Sequence, residues 1–371
     1  MKIAVNTRWL LHNRLEGIGN FSHNLLSRLV KNHPEIEFDF YFDRPFHSSF
    51  IYSENVTGYN LMPPARHPYL WYVWYEISLK RKLKKTKPDL FFSPDGFIPT
   101  SGKTKTLNAI HDLNFEHHPE WVPQNVLKYY KKHFPLCAEK ATRLITVSEY
   151  SKTDIVNTYG IAESKIDVVY NSAASDFCKK EESDILEFKT KHTDGQPYFI
   201  FVGAFNPRKN LQNIFPAFDR LESTHKFVVV GEKMHWDTEI EKAYNKMRKK
   251  DDVIFTGRLN SIDLNTALSG AMALVFPSLF EGFGIPILEA FKAETAVITA
   301  NNSSLPEVAG DAALFVNAES QDEILAALQK IESDPNFRNS LIKKGMLQAE
   351  KFDWDVSAEK LWEIMLKTMN S

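Results

Sequence analysis

The stretch "ALVFPSLFEGFGIPILEAF", Ala273 to Phe291, holds an apolar run ending at Ser278, a loop with two glycines, and a segment headed by Pro286. Proline suits the first turn of a helix, where its missing N–H is not needed, so the stretch reads as strand, loop and helix. Its two glutamates fall in different settings: Glu281 in the loop, Glu289 about one turn into the helix. Gly282 and Gly284 let a backbone approach a ligand closely, and the open amides of a helix start attract an anion. A carboxylate beside an anion site suits hydroxyl groups, and a sugar joined to a nucleoside diphosphate offers both features. The plainer account is that both carboxylates favour the helix N-terminus through its dipole.

The same alternation extends in both directions. Around this unit lie the strand candidates "YFIFVG" (198–203), "KFVVVG" (226–231), "VIFTG" (253–257), "AVITA" (296–300) and "ALFVN" (313–317). An earlier set comprises "IAVN" (3–6), "FDFYF" (38–42), "DLFFS" (89–93), "TLNAI" (106–110), "LITVS" (144–148) and "DVVYN" (167–171). Helix-length amphipathic segments separate them, of which "IGNFSHNLLSRLVK" is the clearest. This is the pattern of parallel βαβ units. The strands read as continuous apolar runs, which implies helices on both faces of each sheet. A chain of 371 residues exceeds what one core usually organises, so two Rossmann-like α/β domains are expected. The charged stretch "KKEESDILEFKTKHTDGQP" (179–197) reads as a linker carrying one short helix, between a first domain over 1–178 and a second over 198–353.

Composition removes several function classes. The 43% hydrophobic and 25% charged content is that of a globular protein, not a disordered or fibrous one. A net charge of -2 supplies no overall attraction for nucleic acid, so any basic site must be local. Cys137 and Cys178 fall in no ligand-like spacing and read as buried thiols of a reducing compartment. "MKIAVNTRWL" is too poor in apolar residues for a signal peptide and no later run reaches membrane-spanning length, so a cytoplasmic location is expected.

Open α/β sheets bind ligands at the carboxyl ends of their strands, which directs attention to the other strand-to-helix loops. "VGAFNPRKNL" places Arg208 and Lys209 after a strand, where a diphosphate would receive a forked guanidinium and an ammonium; a solvated turn with surface cations is the alternative. "GIGNF" (17–21) is a Gly-x-Gly turn, but Ser22 stands where the full dinucleotide fingerprint needs glycine, which disfavours a nicotinamide cofactor. In "NAIHDLNFEHHPE", His111 and Asp112 follow a strand with His117 and His118 nearby; the spacing matches no metal-site pattern, and His111 reads as a polar contact.

These residues together carry a resemblance. "VGAFNPRKNL", "FEGFGIPILEA" with its E-x7-E spacing and "NSSLPEVAGDAALFVN" resemble glycosyltransferase family 4, retaining nucleotide-sugar-dependent enzymes of the GT-B fold. The likeness spans both halves, from "GIGNF" and "HDL" through "VSEYSK" to the last helix. The resemblance implies two Rossmann-like domains facing each other across a cleft, with the nucleotide-sugar donor on the second, the acceptor on the first, and the terminal helix (354–371) packed back on the first. It implies that Arg208 and Lys209 bind the donor diphosphate, Glu281 the transferred sugar, and Glu289 the ribose. It further implies backbone contacts from Phe283, Gly284, Ile285 and Ile287, a base bordered by Arg258 and Leu259, and, from the first domain, His111 at the sugar and Gly19 near the diphosphate. One departure is Ala204, where many relatives have arginine.

The chemistry so implied needs no metal, because cations and amides can neutralise the leaving diphosphate. "DWD" (353–355) imitates a metal-binding D-x-D, but Asp353 or Asp355 reads better as the cap of the helix that follows. The stretch "PYLWYVWYEISLKRKLKKTKP" (68–88) joins aromatics to a basic run; core packing of Trp71, Trp74 and Tyr75 is favoured over a seat on an anionic membrane, which would point to a lipid-linked acceptor. Three other readings remain: a silent nucleotide-sugar-binding protein, an NAD-dependent oxidoreductase, and a glycoside hydrolase built on Glu281 and Glu289.

Overall fold

The computed structural model describes residues 1–12, 14–232 and 238–371, and the thirteen strands among the described residues lie in two parallel sheets. The first sheet contains β1 (Lys2–Asn6), β2 (Glu37–Phe42), β3 (Val56–Asn60), β4 (Leu90–Ser93), β5 (Lys105–Ala109), β6 (Arg143–Thr146) and β7 (Ile166–Val168), in the order β3-β2-β1-β4-β5-β6-β7. The second contains β8 (Tyr198–Val202), β9 (Lys226–Val230), β10 (Val253–Gly257), β11 (Ala273–Phe276), β12 (Ala296–Ala300) and β13 (Leu314–Val316), in the order β10-β9-β8-β11-β12-β13. Strands β8, β11 and β12 are buried along their whole length, as expected where helices cover both faces. The core of the second unit joins strand residues such as Phe199, Val229 and Ile298 to Phe215, Phe218 and Leu328 of the covering helices.

The chain divides into two units, Met1–Asn171 with Asp353–Ser371, and Ser172–Phe352. Residues 179–197 are therefore part of the second unit and not a linker. Their helix, Glu182–Thr193, buries Ile185 and Phe188, with the Phe188 ring 5.9 Å from that of Tyr198. Its polar composition concealed that narrow apolar face. The terminal helix, Trp354–Asn370, belongs to the first unit, where Ser357 Oγ donates to Tyr170 O at 2.9 Å and Arg28 Nε to Asp355 Oδ1 at 2.7 Å. Asp353 caps this helix, accepting from the amides of Asp355 and Val356.

Three further features depart from the sequence reading. Strand β3, "VTGYN", was not expected; it is an edge strand, half exposed and short of apolar residues, recruited by pairing Val56 with Phe38. Cys137 is buried but Cys178 is exposed, because it lies in irregular chain outside any strand or helix. The segment from Pro68 to Thr86 is one continuous rod whose middle, Trp74–Leu79, is π-helical. In an α-helix at 3.6 residues per turn, Trp74 and Leu83 would stand about two and a half turns apart, on opposite sides. Both are buried, because the wider i→i+5 turn brings Trp74, Tyr75, Leu79 and Leu83 onto one inward face. Trp71 Nε1 donates to Ala65 O and Trp74 Nε1 to Leu61 O, so all three aromatics named above pack inward at least in part.

Candidate active site

In the second sheet β8 and β11 are neighbours, with Ile200 opposite Leu274, although two strands separate them in sequence. Strand order reverses at this point, and a crevice opens at the carboxyl ends of such a pair. The loop after β8 is built by its own polar side chains. Asn206 Oδ1 accepts the Arg208 amide (3.0 Å), capping the short turn Pro207–Lys209. Asn210, fully buried and left-handed at φ 68°, donates through Nδ2 to Pro277 O (2.8 Å) and Ala318 O (2.6 Å). The Leu279 amide donates to Arg208 O at 2.8 Å, which ties the loop after β11 to the loop after β8.

That clamp brings three predicted residues together. Arg208 Nη1 stands 2.5 Å from Glu281 Oε2, and Lys209 Nζ 2.6 Å from Glu281 Oε1. Glu281 is 5% exposed. Burial opposes its ionisation, but the two cations outweigh that cost and hold its pKa below the ordinary carboxylate value. Two cations converging on one buried carboxylate form an arrangement that can receive an anionic ligand.

The loop carrying Glu281 is held from the far side by the chain after β12. Ser304, fully buried, points its hydroxyl at Glu281 O (2.9 Å) and Phe283 O (3.0 Å), and Ser303 Oγ accepts the Glu281 amide (3.1 Å). Asn302 Nδ2 donates to Ser278 O at 3.2 Å. Ser303 adopts φ 48°, a left-handed conformation costly for serine, which the surrounding hydrogen bonds sustain. Gly284, at φ 108°, sits at the helix start in a conformation that only glycine adopts readily. None of 302–304 was assigned a role from the sequence, although "NSSLPE" was noted. Ser304→Ala removes the single hydroxyl proton that the Glu281 and Phe283 carbonyls share, so kcat should fall about tenfold or more, at a stability cost of about 1–2 kcal/mol. Steady-state kinetics beside a melting curve checks this; unchanged kcat would mean the loop holds without Ser304.

The remaining donor-side residues behave differently from one another. Phe283 is buried and edge-on to Phe352, at 5.6 Å, so its ring packs inside the second unit. Ile285 begins the helix Ile285–Lys292. The side chain of Ile287 is fully buried and its amide donates to Gly284 O at 3.0 Å. Glu289, on the same helix, has its pKa pushed up to about 7 by burial and by the charge of Asp176, against the pull of Lys209. Arg258 and Leu259 follow β10, at the carboxyl end of the same sheet but at its edge, two strands from β8. They are not brought to the charged trio.

In the first unit, His111 follows β5. Its Nε2 lies 2.8 Å from Pro94 O, so that nitrogen carries the proton, and its ring meets Phe21 edge-on. Burial lowers its pKa, against the pull of that carbonyl and of Asp112, so the imidazole is neutral near pH 7. Gly19 lies in the helix Gly17–Asn32, where a Cβ would come within 2.7 Å of Trp9 O, so packing requires glycine there. His117 and His118 face Asp154 and Glu120. Among the described residues no group of three or more His, Cys, Asp or Glu could hold a metal ion. Sequence reasoning missed a second charged pair. Strands β1 and β4 are neighbours, so Arg8 and Asp95 meet with Nε and Oδ2 2.6 Å apart, both buried, with the Tyr75 hydroxyl 2.7 Å from the same oxygen. Nothing local could have paired residues so distant in sequence.

This geometry has relatives. Residues 182–348 match the family model "Glycosyl transferases group 1" and residues 15–176 match "Glycosyltransferase Family 4", so that the two together take in most of the chain. The chain is 25% identical over 356 residues to O-antigen chain mannosyltransferase B of Escherichia coli, covering 92% of this chain and 93% of that one. It is 28% identical over 284 residues to O-antigen chain mannosyltransferase RfbU of Salmonella typhimurium, covering 76% of each. Among solved structures, sucrose-phosphate synthase from Thermosynechococcus elongatus superposes with a TM-score of 0.80 at 16% identity, over 99% of this chain and 98% of that one. Its fold is that of the GT-B glycosyltransferases, two α/β domains each built on a parallel sheet. With Arg208, Lys209 and Glu281 gathered at the strand switch and both halves matched, the chain belongs to the group 1 and family 4 glycosyltransferases and is a glycosyltransferase enzyme.

Proposed function

We propose that this enzyme moves a hexose, with retention at the anomeric carbon, from a nucleoside-diphosphate sugar to a glycan or lipid-linked saccharide in cell-surface polysaccharide synthesis. GDP-mannose is the favoured donor and a UDP-sugar the next. The observation that carries this reading is the cluster of Arg208 and Lys209 on Glu281, a cationic seat beside a buried, ionised carboxylate. The mannosyltransferase names of the two relatives support the sugar and the polysaccharide.

On this reading Arg208 and Lys209 meet the diphosphate and Glu281 the sugar hydroxyls. Glu289 accepts from the ribose hydroxyls, and Arg258 and Leu259 border the base. His111 and Gly19 of the first unit are assigned to the sugar and the diphosphate. As the bond from sugar C1 to the phosphate oxygen breaks, charge grows on the diphosphate and the two cations stabilise it. The acceptor oxygen bonds to C1 from the same face and its proton passes to the departing phosphate oxygen. The charge balance calls for no metal ion, so activity should survive EDTA. An acceptor carried on lipid would bring the enzyme to the cytoplasmic face of a membrane.

The test is thermal-shift binding with GDP, UDP and ADP and their common sugars, followed by NMR of the product's anomeric centre. A ligand that binds only the folded protein raises its melting temperature. A shift with one diphosphate fixes the donor base; no shift with any would remove the donor-site reading, and an inverted product would remove the same-face step. The split ionisation of Glu281 and Glu289 also suits a carboxylate-pair hydrolase. That reading gives the cations on Glu281 no part in binding a substrate phosphate, and it would be favoured by hydrolysis of a simple glycoside without nucleotide.

A further inference from the structure

The rod from Pro68 to Thr86 has an outward face as well as an inward one. Tyr69 is 82% exposed, Tyr72 50% and Ile77 37%, and beside them Met62 is 60% exposed. Further along the same rod Arg81, Lys84 and Lys85 are exposed. In an uninterrupted α-helix Tyr69 and Lys85 would stand about 4.4 turns apart, nearly on opposite sides. The π-helical stretch Trp74–Leu79 takes up that drift, so Tyr69, Tyr72, Ile77, Arg81 and Lys84 follow one another along a single outward stripe while Trp74 and Leu83 stay inside. The stripe is apolar and aromatic at one end and basic at the other.

Its charge contrasts with that of the whole chain. Residues 66–87 hold seven cations and one acid in a protein of net charge -2. The one acid, Glu76, is engaged by the amide and hydroxyl of Thr100, both at 2.7 Å. The neighbouring helix Gln124–Lys140 packs alongside through Trp71 and Tyr129, ring centroids 5.2 Å apart, and adds exposed Lys128 and Lys132 to the same region. Tyrosines prefer a membrane interface, where the ring is sheltered and the hydroxyl stays wet, and clustered Lys and Arg are drawn to anionic headgroups.

We propose that this stripe docks the enzyme on an anionic lipid bilayer, with Tyr69, Tyr72 and Ile77 at the headgroup boundary and Arg81, Lys84 and Lys85 on lipid phosphates. The docking does not depend on which donor is used, or on the donor site at all; it rests on the proposed function only in giving a lipid-linked acceptor a surface on which to be met. The shape required is a stripe and not a pocket, which suits a planar partner.

The experiment is co-sedimentation of the full chain with vesicles of phosphatidylcholine alone, or with about a third phosphatidylglycerol, for wild type, Tyr69→Ser/Tyr72→Ser and Arg81→Gln/Lys84→Gln/Lys85→Gln. Binding should require the anionic lipid, be released in about 0.5 M salt, and weaken about fivefold per cation removed, near a hundredfold in the triple variant. The tyrosine variant should weaken binding at both low and high salt. Each variant should keep the wild-type thermal shift with the nucleoside diphosphate, which separates a lost membrane face from a lost donor site or a misfolded chain. Wild-type protein that stays in the supernatant, binds both lipid mixtures equally, or binds anionic vesicles undiminished in the triple variant would overturn the proposal. The wild-type salt and lipid comparison decides the matter even if a variant fails to fold.

Discussion

Replacing Lys209 by alanine should lower kcat/KM by about 10²–10³, the range lost when one preorganised charge contact to a transition state is removed. Lys209 supplies one of the two cations gathered on Glu281, so its loss removes a positive charge that the proposed reading sets against the diphosphate. Glu281 would keep Arg208, which also donates to Phe280 O at 3.1 Å, and the fold should survive with a loss of about 1–2 kcal/mol. Lys209→Arg should not restore activity, because the ammonium stands 2.6 Å from Glu281 Oε1 and 4.5 Å from the centroid of the Phe276 ring, a position that a larger planar guanidinium would not reproduce. Steady-state kinetics on all three proteins, with melting curves, measures both effects. Near wild-type kcat/KM in the alanine variant would show that Lys209 serves the loop and not the leaving group.

Glu289→Gln should separate stability from binding. The folded carboxyl has a pKa of about 7 against an ordinary 4.5, raised by burial first and by Asp176 second. Between those values the folded protein holds a proton that the unfolded chain has released, so the group's contribution to stability is fully present below about 4.5 and is lost as pH rises through 7. At pH 8 the wild type bears the cost of a half-buried carboxylate that glutamine avoids, on the order of 2 kcal/mol, so the variant should melt higher there, and nearly with the wild type at pH 5. Binding runs the other way. Two ribose hydroxyls donate to a carboxylate better than to an amide, so diphosphate affinity in the wild type should rise as pH increases through 7. In Glu289→Gln it should be about tenfold weaker at pH 8 and flat across that range. Calorimetric titration at a series of pH values tests this; a flat wild-type profile would remove Glu289 from the ligand.

Much of the candidate site was legible because its parts are local. Arg208 and Lys209 belong to one turn, and Gly284, Pro286 and Glu289 to one helix start, so loop chemistry pointed to them. The cap made by Asp353 reaches two and three residues ahead, a distance any reading of the chain can span. The sequence does not show which helix-start amides are engaged within the chain, as the Ile287 amide is by Gly284 O. Glu182–Thr193 shows another limit, because a helix with one narrow apolar face is hard to tell by composition from a linker.

By itself the sequence determined the described strand runs other than β3, their parallel βαβ arrangement, and the loops that bear Arg208, Lys209, Glu281 and His111, because hydrophobic period and turn chemistry act between near neighbours. Only the tertiary structure decided that β8 lies beside β11, which turns two separate loops into one charged trio, and that β1 lies beside β4, which buries Arg8 against Asp95. It also decided that the chain after β12 clasps the Glu281 loop, and that a π-helical turn keeps Trp74 and Leu83 on one side of their rod. Strand order and helix register follow from which apolar faces meet, and that is settled between residues far apart in the chain, by the packing of the whole sheet and its covering helices.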